Sequence, residues 1–192
     1  YSAGSLKRPG LNRDIMKISL DNISFAYDND MIIKNVACTF ESGNFYSIIG
    51  PNGSGKTTLL DLISGFLVPG SGHVAINNSH VLSMSKKELS KNIALVSQDY
   101  SINFAFSVND VVMMGRHPYI SRFSSPGKKD IYQVEEMMDI CGINHLRDRK
   151  VNELSGGERQ RCVFARALCQ DTRVLLLDEA FSNMDIHHTL QM

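Results

Sequence analysis

Residues Gly50 to Thr58 read Gly-Pro-Asn-Gly-Ser-Gly-Lys-Thr-Thr and fit Gly-x-x-x-x-Gly-Lys-[Ser/Thr], the pattern of a phosphate-binding loop. That pattern constrains the fold, because it needs a strand before it and a helix after it. Asn44-Phe45-Tyr46-Ser47-Ile48-Ile49 is aromatic and β-branched enough to be a buried strand. Leu59, Leu60, Leu62, Ile63 and Phe66 recur downstream at helical spacing. Glycines at 50, 53 and 55 permit positive φ and leave no side chain to hold a phosphate away from the backbone. Successive N–H groups can then converge on the anion, helped by the positive end of a helix starting near Lys56. The Lys56 ammonium would reach the β- and γ-phosphates of a nucleotide, and the Thr57 hydroxyl would ligate Mg²⁺.

Bulk properties exclude several classes. A length of 192 residues suits one domain, or one domain with a lobe. Lys+Arg and Asp+Glu both total 20, and this balance argues against a general nucleic-acid binder. Cysteines 38, 141, 162 and 169 form no Cys-x-x-Cys and no zinc-spaced cluster, which reads as free thiols in a reducing cytosol. No apolar run approaches the ~18 residues of a membrane span. Lys7-Arg8 runs into Pro9-Gly10 without an apolar core, unlike a signal peptide. Work at a membrane would therefore require another chain as anchor.

Along the chain, residues 1–15 read as a loose tail or cloning remnant. Met16–Leu20, Ile23–Tyr27, Ile32–Phe40 and His73–Ile76 suggest strands of a small antiparallel sheet beside the loop. Turns are expected at Asp28–Asp30, Glu41–Gly43, Pro69–Gly72 and Asn77-Asn78. Ser85 with Glu88 has capping-box form, and Ile93–Ser97 suits a buried parallel strand ending at Gln98. Residues 99–165 read as an inserted helical lobe, with a short helix from Ser107 to Met114. An amphipathic helix follows over Asp130–Cys141, with Ile131, Val134, Met138 and Cys141 on one face and Gly142 as its cap.

The last forty residues carry two more candidate sites. In Leu154-Ser155-Gly156-Gly157-Glu158-Arg159-Gln160, Ser155 and Glu158 form a capping box ahead of a helix with Val163, Ala167 and Leu168 inward. Two glycines in a first turn cost helix stability, so a close approach to the backbone or a second anion site is implied. Arg173–Glu179 reads as a buried strand ending in two acids. Asp178, at the carboxyl end of a parallel strand, is placed to hold Mg²⁺ through water, and Glu179 could take a proton from an attacking water.

Together, Gly50–Thr58, Gln98, Leu154–Gln160, Leu175–Glu179 and Ser182–Asp185 resemble the ATP-binding cassette (ABC) ATPases in order and approximate spacing, over about residues 16–190. The resemblance implies an α/β P-loop NTPase fold: a mainly parallel core sheet, an antiparallel β subdomain and an inserted helical subdomain. It implies that Tyr27 stacks on adenine and that Gly50, Asn52, Gly53, Ser54, Gly55, Lys56, Thr57, Thr58 and Asp185 bind the nucleotide. Gln98 would touch Mg²⁺ and the attacking water, and Glu179 would be the general base. Ser155, Gly156 and Gly157 would cover the γ-phosphate of ATP held by a second, head-to-tail subunit. Implied partners are integral-membrane permease subunits and, indirectly, a substrate-binding protein, at the cytoplasmic face of the membrane. Gly115-Arg116-His117-Pro118-Tyr119 and Cys141–Leu146 look like ATPases of bacterial importers for iron–siderophore complexes, haem or cobalamin. Phe104–Val108 fits either a permease groove or the core. Alternative readings are a non-transport ABC protein and a nucleotide-binding remnant.

The sequence departs from the family in three places, the mildest being Ser182-Asn183-Met184-Asp185 for the usual Ser-x-Leu-Asp. Ala180-Phe181 replaces the usual Pro-Thr after Asp178-Glu179, removing a fixed φ beside Glu179. A further strand ending in a γ-phosphate histidine is expected beyond Met192, since His187 and His188 lie too near Asp185 to serve. The chain is accordingly expected to bind Mg-ATP but turn it over more slowly than a complete homologue. Turnover compared with a version extended through that strand checks this, and equal rates would refute it.

Overall fold

Apolar–polar alternation from Met16 onward builds a long hairpin, the first unit of the computed structural model, which describes residues 15–97 and 105–178. Strand β1 (Lys17–Tyr27) pairs antiparallel with β2 (Asp30–Glu41) across a turn where Asp28 takes φ 49°. The two strands expected over Met16–Leu20 and Ile23–Tyr27 are one strand with register shifts between Leu20 and Ala26. Asn22 sits there at φ 47°, a conformation asparagine tolerates better than most residues. Strand β3 (Ser71–Ile76) adds to the other edge of β1, and β4 (Ser79–His80) follows through Asn77-Asn78, both at positive φ. The sheet order is β2-β1-β3-β4.

One face of this sheet is covered by α1 (Lys56–Ile63), whose Leu62 and Ile63 are buried with Met16, Ile18, Leu20 and Ile23. Full burial of such side chains stabilises by roughly 1.5–3 kcal/mol each. The helix is shorter than its apolar spacing suggested. Gly65 adopts φ 70°, and the Phe66 N–H donates to Asp61 O at 2.9 Å, closing the helix in a Schellman-type turn. Phe66 thus lies beyond the helix, exposed.

The second sheet is parallel. Helix α2 (Lys86–Asn92), capped by the Ser85 hydroxyl accepting from Glu88 N–H at 3.2 Å, leads into β5 (Ile93–Val96). β5 pairs in parallel with β6 (Val174–Leu177), Ile93 opposite Val174. β6 is half-buried rather than buried, because among the described residues it is paired along one edge alone.

The expected strand at Asn44–Ile49 is not formed. Strand propensity needs a ladder partner, and among the described residues none pairs with this segment. Phe45 and Ile49 are 90% and 91% exposed. Tyr46 instead turns back: its hydroxyl accepts from Glu41 N–H at 3.1 Å, and its ring meets Phe40 edge-on at 5.0 Å.

Between β5 and β6 lies the helical lobe of α3 (Val108–Met113), α4 (Lys128–Ile140) and α5 (Gly156–Cys169). Ser107 and Asp110 form a complete capping box on α3. Val108, Val111, Val112, Val134, Met138 and Ile143 fill the lobe's core. On α4, Val134, Met138 and Cys141 are buried as the periodicity predicts, with Gly142 at φ 65°, whereas Ile131 is exposed at the helix's outer edge. The Phe104–Val108 stretch divides: Val108 is core, Phe106 is partly exposed, and Phe104 lies outside the described residues.

α5 belongs to two cores. Cys162, Ala165 and Cys169 face the lobe, while Val163 and Ala167 face Ala94 and Val96 of β5. Leu168, expected inward, is half-buried. All four cysteines are free; burial pushes the thiols of Cys141 up to about 11 and of Cys162 and Cys169 up to about 12, so these three are inert at neutral pH. Among the described residues no helix is long and apolar enough to cross a membrane.

Gly115 marks the closest approach of the lobe to α5, since a Cβ there would lie 2.4 Å from the backbone oxygen of Arg166. Backbone cannot yield as a side-chain tip can. Gly115→Ala is expected to destabilise the fold by about 1–3 kcal/mol, the cost of overpacking, measured by chemical denaturation.

Candidate nucleotide site

The glycine loop is held by backbone geometry that sequence predicts in part. Gly53 and Gly55 take φ 79° and 87°, the left-handed region that glycine adopts without a Cβ penalty. Gly50 does not. A Cβ there would come within 2.7 Å of Ser54 Oγ, a side-chain tip that can turn away. A Cβ on Gly55 would meet Ile32 and Ile33 of β2 at 2.9 and 3.0 Å, so the loop is seated against the antiparallel sheet. Because Phe25 pairs with Ile33, the same contact brings the β1 end carrying Tyr27 alongside the loop. Tyr27 is 49% exposed and stands edge-on to Phe25 at 4.9 Å, leaving ring surface to receive a base.

α1 opens directly from Gly55, without a side-chain cap and without an acid in its first turn. Its first N–H groups and its dipole are therefore not neutralised by a carboxylate of their own turn. The Lys56 ammonium donates to Gly50 O and Pro51 O, both at 3.0 Å, which bends the side chain back across the loop and uses two of its three donors. Thr57 is exposed and Thr58 buried, so only the first hydroxyl faces outward as a ligand. Asn52 and Ser54 are exposed on the loop.

Asp178 comes to this loop from the carboxyl end of β6. Its N–H donates to Val96 O at 2.9 Å, fixing the residue at the end of the parallel pair. The side chain is buried, 5% exposed, yet its Oδ2 has no hydrogen-bond partner among the described residues. A buried carboxylate oxygen left unpaired is costly, unless a cation or donor answers it. A groove of about 360 Å³ runs between β6 and residues 43–48, with Lys56 and Asp178 both on its wall. The groove is mostly apolar along Ile18, Leu60 and Leu176.

Sequence reasoning missed Asp61. Burial raises its carboxyl above the ordinary value, and repulsion from Asp178 raises it further. The signal was available: an acid inside the otherwise apolar run Leu59-Leu60-Asp61-Leu62-Ile63. A buried carboxylate at Asp178 and an exposed hydroxyl at Thr57 are oxygen donors of the kind that Mg²⁺ takes.

Ser155, Gly156 and Gly157 open α5 elsewhere. The cap is complete: Glu158 Oε2 accepts from Ser155 N–H at 2.8 Å and Ser155 Oγ–H at 2.7 Å. A Cβ added at Gly156 or Gly157 would meet nothing within 4 Å. No packing inside this chain among the described residues demands those glycines, in line with an approach from outside. Gln98, Glu179 and Asp185 lie outside the described residues.

Comparison with known proteins agrees with this geometry. The family described as "ABC transporter" matches residues 33–182. The manganese transport system ATP-binding protein MntA of Synechocystis is 42% identical over 174 residues, covering 89% of this chain and 66% of that one. The ferric enterobactin transport ATP-binding protein FepC of Escherichia coli is 33% identical over 182 residues, covering 95% and 67%. The chain thus spans about two thirds of the length of these relatives. A solved metal-chelate type ABC transporter, in an inward-facing conformation, superposes with TM-score 0.76 at 31% identity, over 92% of this chain and 64% of that one. A bacterial Atm1-family exporter with ATP bound gives 0.79 at 26%, over 98% and 34%.

The cap on α5 carries a pH dependence. Bonds from the Ser155 side chain and then its backbone hold Glu158 below the ordinary 4.5, so the cap is fully present above that value and lost as pH falls through the lowered one. Amide exchange over Ser155–Arg159, corrected for intrinsic rate, is expected to quicken on acidification in the parent and to be pH-independent in Glu158→Gln.

Proposed function

Because this chain belongs to the ABC transporter family, we propose that it is the ATP-binding and ATP-hydrolysing subunit of a membrane importer for metal ions or metal chelates. The observation that carries the reading is the junction of Lys56 with the unpartnered, buried Asp178 oxygen at one end of a groove, behind a left-handed glycine loop. N–H groups of the loop and α1 cradle the phosphates, and Lys56 exchanges its two carbonyl partners for phosphate oxygens. Tyr27 offers its ring to the adenine. Mg²⁺ held by Thr57 and Asp178 would neutralise charge on the β- and γ-phosphates. Gln98 and Glu179 orient and deprotonate the attacking water. Ser155, Gly156 and Gly157 close over the γ-phosphate of a head-to-tail second subunit, which accounts for glycines with empty space around them. Closure supplies the positioning on which phosphoryl transfer depends.

The cargo follows from the relatives, whose names specify manganese, ferric enterobactin and hemin. Import rather than export rests on the hemin and cobalamin relatives, whose names say import, since the exporter shares the fold. A permease in the membrane, with a substrate-binding protein beyond it, would hold the subunit at the cytoplasmic face and choose the cargo.

Binding of a fluorescent ATP analogue tests the core of this reading. Lys56→Ala is expected to weaken binding at least about tenfold, or 1.4 kcal/mol, and Asp178→Asn to abolish its dependence on Mg²⁺. Asp178→Asn should also leave the ligand-free melting temperature no lower than the parent's, because it removes a buried unpaired charge. Unchanged affinity in Lys56→Ala would refute the reading.

A further inference from the structure

The stretch Gly115-Arg116-His117-Pro118-Tyr119 takes no part in the phosphate chemistry, yet it contains a buried guanidinium. Arg116 is 4% exposed, in the 3-10 turn that follows α3. A buried charge is tolerated when it is paired, and here α4 and α5 each accept one hydrogen bond while a ring stacks on its face. Nε donates to Asp130 Oδ1 at 3.0 Å, while the other Asp130 oxygen accepts from Gly127 N–H at the start of α4. One terminal nitrogen donates to the carbonyl of Cys169, the last residue of α5, at 2.8 Å. The guanidinium carbon lies 4.1 Å from the Tyr119 ring centre. The Tyr119 hydroxyl in turn donates to Gln170 O at 3.0 Å. From the far side, the Gln170 amide donates to Ile93 O at 2.9 Å and to Ser90 O, where α2 meets β5.

These contacts converge on one end of one helix. The last carbonyls of an α-helix have no partners within it, and a cation there also meets the negative end of the dipole. An exposed lysine would answer both needs. A guanidinium held at 4% exposure, stacked and forked between a carboxylate and a carbonyl, fixes direction as well as charge. Direction matters because α5 is a rigid lever. At 1.5 Å per residue it is about 20 Å long, so a tilt of about 5° at Cys169 moves Ser155 by roughly 2 Å.

Resting on the function proposed above, we propose that Arg116 and Tyr119 are positioning residues. They pin the C-terminal end of α5 to the turn after α3 and the start of α4, while Gln170 at that same end ties it to the junction of α2 and β5. Ser155, Gly156 and Gly157 at its other end are thereby aimed at the γ-phosphate held by a second subunit. Neither residue touches nucleotide. Their effect belongs to closure and turnover, and leaves ATP binding by Tyr27 and Gly50–Thr58 alone.

The test is steady-state ATP turnover and ATP-driven dimerisation of the complete polypeptide, for the parent, Tyr119→Phe and Arg116→Lys. Tyr119→Phe removes one hydroxyl at the surface and keeps the ring under the guanidinium, so the fold is retained. Its kcat is expected to fall about fivefold, the scale of one hydrogen bond, with KM for ATP within about twofold and dimerisation weakened in proportion. Arg116→Lys is expected to fall further, to a tenth of the parent or less, because a point charge cannot fork. Two results would overturn the proposal: both folded variants keep kcat within about twofold, or the loss vanishes when the assay is cooled by the drop in melting temperature. A parent that neither dimerises on ATP nor hydrolyses it overturns the functional reading as well. An active parent beside indifferent variants overturns this inference alone.

Discussion

Most of this molecule hangs on the two-sided burial of α5. A helix with one apolar stripe can be removed from a core and leave the remainder intact. α5 has two stripes, Cys162-Ala165-Cys169 and Val163-Ala167, offset by one residue and facing different cores. The lobe therefore cannot shift without moving the helix, and the helix cannot shift without disturbing β5. Small residues on both stripes let the neighbours approach closely, and Gly115 takes this to its limit. The same helix begins at Ser155 and Gly156, so the element that unites the cores also presents a glycine-lined N-terminus with open space around it.

The nucleotide end obeys a different constraint, which is charge. A lysine, a buried carboxylate and a capless helix start are brought to one place by α1 and β6, elements far apart in the chain. Each group alone has an ordinary structural explanation. The buried Oδ2 of Asp178 has none among the described residues, since a fold selected for stability alone would pair or remove it. That mismatch separates a site from a solvated surface.

Much of this was legible from residue order. The glycine loop, the three Ser-led helix starts and the Asn77-Asn78 turn depend on local chemistry, and local chemistry is written locally. The α1 stop at Gly65 was legible too, but the apolar Phe66 just beyond masked it. Asn44–Ile49 shows the opposite case. Its composition speaks for a strand, yet a strand is a relation between two segments, and half of that relation cannot be read from one. Asp61 and Arg116 were hidden for a related reason. Their meaning comes from what lies against them, Asp178 in one case and the end of α5 in the other.

The insertion of the whole lobe between β5 and β6 has a consequence for how the protein is made. β1, β2, β3 and α1 find their partners within a short stretch of chain, so the N-terminal sheet can assemble as soon as it leaves the ribosome. β5 cannot. Its Ile93-Ala94-Leu95-Val96 edge must wait for Val174 to be synthesised and for three helices to fold between them, and such non-local parallel pairing is slow. During that interval an apolar strand edge stands open, which makes β5 the segment most in need of shielding in the newborn chain.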